Sequence, residues 1–127
     1  MADSHLTGVI FFTCDEVLTQ ILNRLLEKCI PNNLLFTVYD SFSDASSLNS
    51  SDCCKIILVD DSIIGTSSFE LISYIRLNKK ISSPIIYFGI DEHGNETKAI
   101  SIGANYFISK PFNPDDVVNL LNYILEL

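Results

Sequence analysis

The chain has 127 residues, 47% hydrophobic and 19% charged, which suits one domain with a proper core, a globular rather than a disordered chain. Sixteen acidic against eight basic residues give a formal net charge of −8, and no Lys/Arg cluster offsets it, so direct binding to nucleic acid or to an anionic membrane is not expected. No apolar run approaches the ~20 residues of a membrane helix, and Met1-Ala-Asp-Ser-His carries no signal-peptide pattern, so a soluble cytoplasmic protein is expected.

In chain order, Gly8 to Phe12 is a short apolar, β-prone run that reads as a buried strand. From about Asp15 to Cys29 the period changes. Leu18, Ile21, Leu22, Leu25, Leu26 and Cys29 form the stripe of an amphipathic helix, ended by Ile30-Pro31-Asn32-Asn33. Leu34 to Tyr39 is a second strand. The serine-rich stretch from Ser41 to Ser51 predicts a short, weak helix, and Ile56 to Val59 a third strand. Ser67-Ser68 offers an N-cap for a helix reaching about Asn78. Ile85 to Phe88 is a fourth strand ending at Gly89, followed by a polar turn over Asp91 to Asn95. Thr97 to Ile102 is a short helix stopped by Gly103. Tyr106 to Ile108 is a fifth strand. Asn113, Pro114 and two acids open a last helix with Val117, Leu120, Leu121, Ile124 and Leu125 as its buried stripe.

Five strand–helix alternations imply one α/β domain over residues 1–127, a doubly wound parallel sheet with right-handed crossovers. The four cysteines, at 14, 29, 53 and 54, form no CxxC and show no zinc spacing with His5 or His93. They read as reduced thiols, and a disulfide between adjacent Cys53 and Cys54 would be badly strained.

The central stretch is Lys55-Ile56-Ile57-Leu58-Val59-Asp60-Asp61-Ser62, an apolar run that stops at two carboxylates. Open α/β sheets bind ligands just past the C-terminal ends of their strands. Two further exits point the same way: Thr13-Cys14-Asp15-Glu16 after the first strand and Ser109-Lys110-Pro111-Phe112 at the end of the fifth.

Three pieces carry a family resemblance: Gly103 to Phe112 with its Lys110-Pro111 dipeptide, Ile56 to Asp60 followed by Phe69-Glu70-Leu71-Ile72 and Ile75-Arg76, and Ser83-Pro84-Ile85-Ile86-Tyr87-Phe88. The chain resembles, over essentially its whole length, a receiver domain, the chemotaxis-regulator-like phosphoacceptor module of two-component response regulators. The resemblance implies a flavodoxin-like three-layer sandwich with strand order 2-1-3-4-5. It places Asp60 on the aspartate that takes a phosphoryl group from a histidine kinase, and Lys110 on the lysine that pairs with it. Such a carboxylate is a competent nucleophile where cations neutralise the spreading oxygen charge.

Departures from the family pattern are equally specific. The two acidic positions that hold Mg²⁺ after strand one are Thr13 and Cys14, a poor substitute because Mg²⁺ wants hard oxygen ligands. Sliding the register by two would bring Asp15-Glu16 there but turn Gln20 inward, so the register is kept. Asp15 and Asp61 are the acids that could compensate from beside the site, and the carbonyl of Ser62 stands at the family's backbone metal position. The hydroxyl switch position after strand four is Gly89, followed by Ile90, and the switch aromatic is Phe107. Ile64 and Ser68 stand where Pro and Gly are usual. The expectation is an atypical receiver with a degenerate metal site, in which Mg²⁺ is a poor fit.

The resemblance further implies a sensor histidine kinase or another signalling protein as partner, a face built from Thr97 to Ile102, Phe107 and the last helix, and a monomer or weak dimer. One alternative is a phosphorylation-independent pseudo-receiver scaffold, in which Asp60 and Lys110 form a structural ion pair. Another is a conventional Mg²⁺-dependent receiver using Asp15. Independent enzymes fit worse. A thiol phosphatase needs an Arg six residues after its Cys, where Gln20 follows Cys14. A nucleotide site wants glycines that Thr13 to Val17 lacks, and Asp60-Asp61-Ser62 is not the Asp-x-Asp of dehalogenase-type phosphatases.

Overall fold

The computed structural model describes residues 6–49 and 54–126, so the expectations on Met1 to His5, on Cys53 and on the end of the serine-rich stretch lie outside the described residues. Within them run strands β1 (Thr7–Phe12), β2 (Leu34–Tyr39), β3 (Cys54–Asp60), β4 (Ile85–Gly89) and β5 (Tyr106–Ser109), in one sheet of order β2-β1-β3-β4-β5. Every neighbouring pair is parallel. Helices α1 (Glu16–Cys29), α2 (Ser68–Leu77) and α3 (Asn95–Ile102), with a 3₁₀ segment at Phe42–Ser47, make the crossovers, and α4 (Pro114–Leu125) follows the last strand. This is the expected doubly wound sandwich.

Alternation along the strands divides the core in two. Val9, Phe11, Ile56, Leu58, Ile86 and Phe88 pack with α1 and α4 on one face. Phe12, Ile57, Val59, Ile85 and Tyr87 pack with α2, α3 and the 3₁₀ segment on the other. Both faces are covered, which is why β3 and β4 read as unbroken apolar runs. Each fully buried Leu or Ile contributes roughly 1.5–3 kcal/mol.

Local signals explain the element ends. The Asp15 carboxylate accepts the Leu18 N–H at 3.0 Å and caps α1. Gln20 faces solvent, as the chosen register requires. Ile21 departs from the expected stripe: it is 39% exposed, on a shallow depression beside Phe112 and Pro114. The serine-rich stretch forms a 3₁₀ turn because its own side chains compete for the backbone. Ser41 Oγ accepts the Ser43 N–H, and the Ser46 and Ser47 hydroxyls donate to the carbonyls of Ser43 and Asp44. Helix α3 begins two residues before the expected Thr97, because Gly94 adopts a left-handed φ of 74° and turns the chain directly into Asn95.

The frame behind the sheet depends on one guanidinium. Arg76 on α2 donates to the carbonyls of Gly103, Ile81 and Ser83 and to Asn105 Oδ1, at 2.7–2.9 Å. Asn105 Oδ1 also accepts the Ile85 N–H, so this cluster fixes the starts of β4 and β5 against α2. Ser67 Oγ accepts the Glu70 N–H and caps α2, as its sequence predicts. Among the described residues no helix is long and apolar enough to cross a membrane.

Candidate functional site

Strands β1, β3, β4 and β5 all end at the same edge of the sheet, and strand pairing continues one step beyond them. Thr13 N–H donates to the Tyr39 carbonyl at 2.9 Å, Asp61 N–H to Phe88 at 3.1 Å and Lys110 N–H to Gly89 at 2.9 Å. These bonds hold the side chains of Thr13, Asp60, Asp61 and Lys110 in one cluster.

Asp60 is fully buried. Its Oδ2 accepts the Thr13 hydroxyl at 2.8 Å, and its Oδ1 accepts the Lys110 ammonium at 2.7 Å. The same ammonium donates to Asp61 Oδ1, also at 2.7 Å. Thr13 Oγ1 meanwhile accepts the Asp15 N–H at 2.9 Å, which leaves its hydrogen for Asp60. Burial pushes the Asp60 carboxyl above its ordinary value, against the opposing hydrogen bonds from Lys110 and Thr13. Burial pulls Lys110 down, but its hydrogen bonds to Asp60 and Asp61 outweigh that and hold the ammonium protonated beyond its usual range.

The other expected residues surround this cluster without entering it. Cys14 is exposed; its N–H donates to the Ser62 carbonyl at 2.7 Å and its thiol to the Asp40 carbonyl at 3.2 Å. Asp15 spends its carboxylate on the α1 cap. Ile64 exchanges backbone hydrogen bonds with Asp40 and Phe42, which clips the loop after β3 to the segment after β2. Ser68 donates its hydroxyl to the Asp60 backbone carbonyl at 2.5 Å and ties α2 to the end of β3.

Divalent-cation chemistry can be tested on these donors. Mg²⁺ asks for several hard oxygens with free lone pairs. Here the Thr13 hydroxyl points its hydrogen at Asp60, the Ser62 carbonyl already takes the Cys14 N–H, and one ammonium bridges both carboxylates. Among the described residues no group of three His, Cys, Asp or Glu side chains is placed to hold a metal ion. The residues present do not fit Mg²⁺.

The β4 exit holds a feature that sequence reasoning missed. A Cβ built on Gly89 would lie 2.6 Å from Tyr87 Cε2, 3.2 Å from Tyr87 Cζ and 3.4 Å from Phe107 Cε1. The ring of Tyr87 thus occupies the space of a side chain at 89. It is clasped by Phe69 and Phe107, with ring centroids 5.3 and 5.9 Å away. Burial first, then the charges of Asp61 and Asp60, push the Tyr87 phenol up to about 12. The available signal was a glycine ending a strand two residues after a large aromatic on the same face.

No protein-family profile and no curated protein sequence matches the chain. Solved structures do. A two-component response regulator of Clostridium difficile is 21% identical with a TM-score of 0.81, covering 94% of this chain and 96% of its own. A chemotaxis response regulator of Vibrio cholerae is 16% identical with a TM-score of 0.77, covering 94% and 98%. The receiver domain of a Pseudomonas aeruginosa sensor histidine kinase, which holds a magnesium ion in its active-site cleft, is 16% identical with a TM-score of 0.77, covering 96% and 99%. The chain has the fold of response-regulator receiver domains over nearly its whole length.

Proposed function

We propose that this chain is an atypical receiver domain of two-component signalling, with Asp60 as phosphoacceptor and a protein–protein interaction as its output. The observation that carries this reading is the buried Asp60 carboxylate at the end of β3 with the Lys110 ammonium 2.7 Å from Oδ1. In the proposed step an Asp60 oxygen attacks the phosphorus of a phosphohistidine. The P–O bond forms as the P–N bond breaks, its electron pair stays on the imidazole nitrogen, and that nitrogen takes a proton from water. Lys110 neutralises part of the charge on the phosphoryl oxygens, and Asp61 keeps the ammonium in place while Asp60 is modified.

The departures at Thr13 and Cys14 support a reaction that proceeds without Mg²⁺, because Lys110 and the Thr13 hydroxyl meet the two Asp60 oxygens directly. The domain has no turnover of its own beyond gain and hydrolysis of its acyl phosphate. A sensor histidine kinase or another signalling protein in the cytoplasm is the partner of this reading, and a monomer or weak dimer its form. One observation favours a second reading, a phosphorylation-independent scaffold: both Asp60 oxygens already have hydrogen-bond partners.

Incubation with acetyl phosphate or phosphoramidate, with and without Mg²⁺, separates the two by intact mass. A single phosphoryl addition that is absent in Asp60→Asn and indifferent to Mg²⁺ supports the first reading. No addition to the folded wild-type chain under either condition leaves the scaffold.

A further inference from the structure

Asp60 has two committed partners, and a phosphoryl group bound there would bring three more acceptor oxygens. Thr13 already donates to Asp60 Oδ2, and the Lys110 ammonium is shared between two carboxylates. A further donor at the same edge of the sheet is the phenol of Tyr87. Its Cζ lies 3.2 Å, and its Cε2 2.6 Å, from where the Cβ of residue 89 would be. The hydroxyl, bonded to Cζ, is therefore at the end of the ring nearest the strand terminus.

That hydroxyl has an open donor. It makes no hydrogen bond to any described residue, and no fully buried side-chain oxygen among them lacks a partner, so the phenol oxygen reaches solvent although the residue is only 3% exposed. Phe69 and Phe107 hold the ring and fix its direction. A side chain on residue 89 would displace it, so Gly89 and Tyr87 act as a pair. The glycine gives up its own side chain and the tyrosine reaches over it.

We propose that the Tyr87 hydroxyl donates a hydrogen bond to the phosphoryl group on Asp60, supplying from two residues upstream the contact that Gly89 cannot make. This rests on the reading of Asp60 as phosphoacceptor. No proton is transferred: the phenol shares its hydrogen with a phosphoryl oxygen whose charge grows during transfer, where a preplaced donor lowers the barrier. Burial, then the charges of Asp61 and Asp60, raise the phenol to about 12, so it stays protonated and remains a donor.

The test compares wild type, Tyr87→Phe and Asp60→Asn with acetyl phosphate as donor. It follows the rate of phosphoryl addition by intact mass, and Tyr87 itself by Cζ-labelled tyrosine NMR. The expected result is addition at least threefold slower in Tyr87→Phe, which keeps the ring and its packing, together with a shift of the wild-type Tyr87 Cζ resonance on phosphorylation. Equal rates, or an unmoved Cζ resonance in phosphorylated wild type, overturn the role of Tyr87 and leave Asp60 as acceptor. Absence of addition in both wild type and Tyr87→Phe overturns the acceptor reading and this proposal with it. The NMR measurement needs only the wild-type chain, so misfolding of the variant does not protect the idea.

Discussion

The Thr13 hydroxyl donates to Asp60 Oδ2 at 2.8 Å, and the two residues are 2% and 0% exposed. A neutral donor thus meets the buried carboxylate. Thr13→Val keeps the shape and removes the donor, leaving Oδ2 and the Asp15 N–H without it. The expected loss is about 1–3 kcal/mol in urea unfolding. The Asp60 carboxyl, deprived of one opposing bond, should titrate still higher by ¹³Cγ NMR.

Asp60 itself sets a pH dependence whose sign follows from burial. Its folded value lies above its unfolded one, so between the two the folded chain holds more protons. Stability from this group therefore rises as pH falls through that interval and is lower above it. Asp60→Asn never carries the charge. Its stability relative to wild type should be greatest at neutral pH and shrink as pH falls through the Asp60 titration, measured by thermal melts across pH. Lys110 acts at the other end. Its raised value makes its contribution complete below the ordinary lysine range and lost as pH climbs past its folded value.

Asp61 links three titrations. It accepts from Lys110, and its charge raises both Asp60 and Tyr87. In Asp61→Asn the phenol should ionise below its value of about 12, and the Asp60 carboxyl should lose one of the influences that raise it. Lys110 should lose one of the two carboxylates that hold its proton. Ultraviolet titration reads the phenol, and side-chain NMR reads the other two. An unmoved phenol would mean that Asp61 does not act on the β4 exit.

The order of strands and helices was legible because burial on two faces writes itself as apolar runs and a 3.6-residue stripe. Asp60 stood out for the same reason, as a carboxylate at the end of such a run, while Lys110 stood out through the resemblance carried by Gly103 to Phe112; the structure joins them at 2.7 Å. Tyr87 was not legible. In sequence it is one more aromatic in a buried strand, and only the lean of its ring over Gly89, with a phenol that feels the charges of Asp61 and Asp60, sets it apart. The bracing role of Arg76 was equally silent, since three of its four acceptors are backbone carbonyls, and carbonyls have no sequence signature. The start of α3 was missed because Gly94 looked like part of a turn rather than a cap.

The Tyr87–Gly89 relationship predicts strong coupling. In Gly89→Ala the new Cβ would meet the rigid Tyr87 ring at 2.6 Å, which forces the ring or the strand to move and costs about 1–3 kcal/mol. Tyr87→Val alone opens a cavity between Phe69 and Phe107. Combined with Gly89→Ala, it should cost less than the sum of the two, because the added methyl enters vacated space. A double-mutant cycle in urea with a favourable coupling above ~0.5 kcal/mol checks this. Additive losses would mean that the ring yields freely.

A metal fit can be built at the exit of β1. Wild type should show no saturable NMR shift around Ser62 and Lys110 at millimolar Mg²⁺, and no change in melting temperature, since its donors are engaged by Thr13, Cys14 and Lys110. Thr13→Asp combined with Cys14→Asp places two carboxylates at the exit of β1 beside a buried Asp60. Without a divalent ion the added like charges should lower stability, and by like-charge repulsion raise the Asp60 titration. With Mg²⁺ the loss should reverse. A ligand that binds only the folded state stabilises by about 2.7 kcal/mol at a hundredfold excess over its dissociation constant. The variant should therefore melt higher as Mg²⁺ is added while wild type does not. If wild type responds as strongly as the variant, Thr13 and Cys14 are not what removes the metal, and Asp61 or Asp15 must move to bind it.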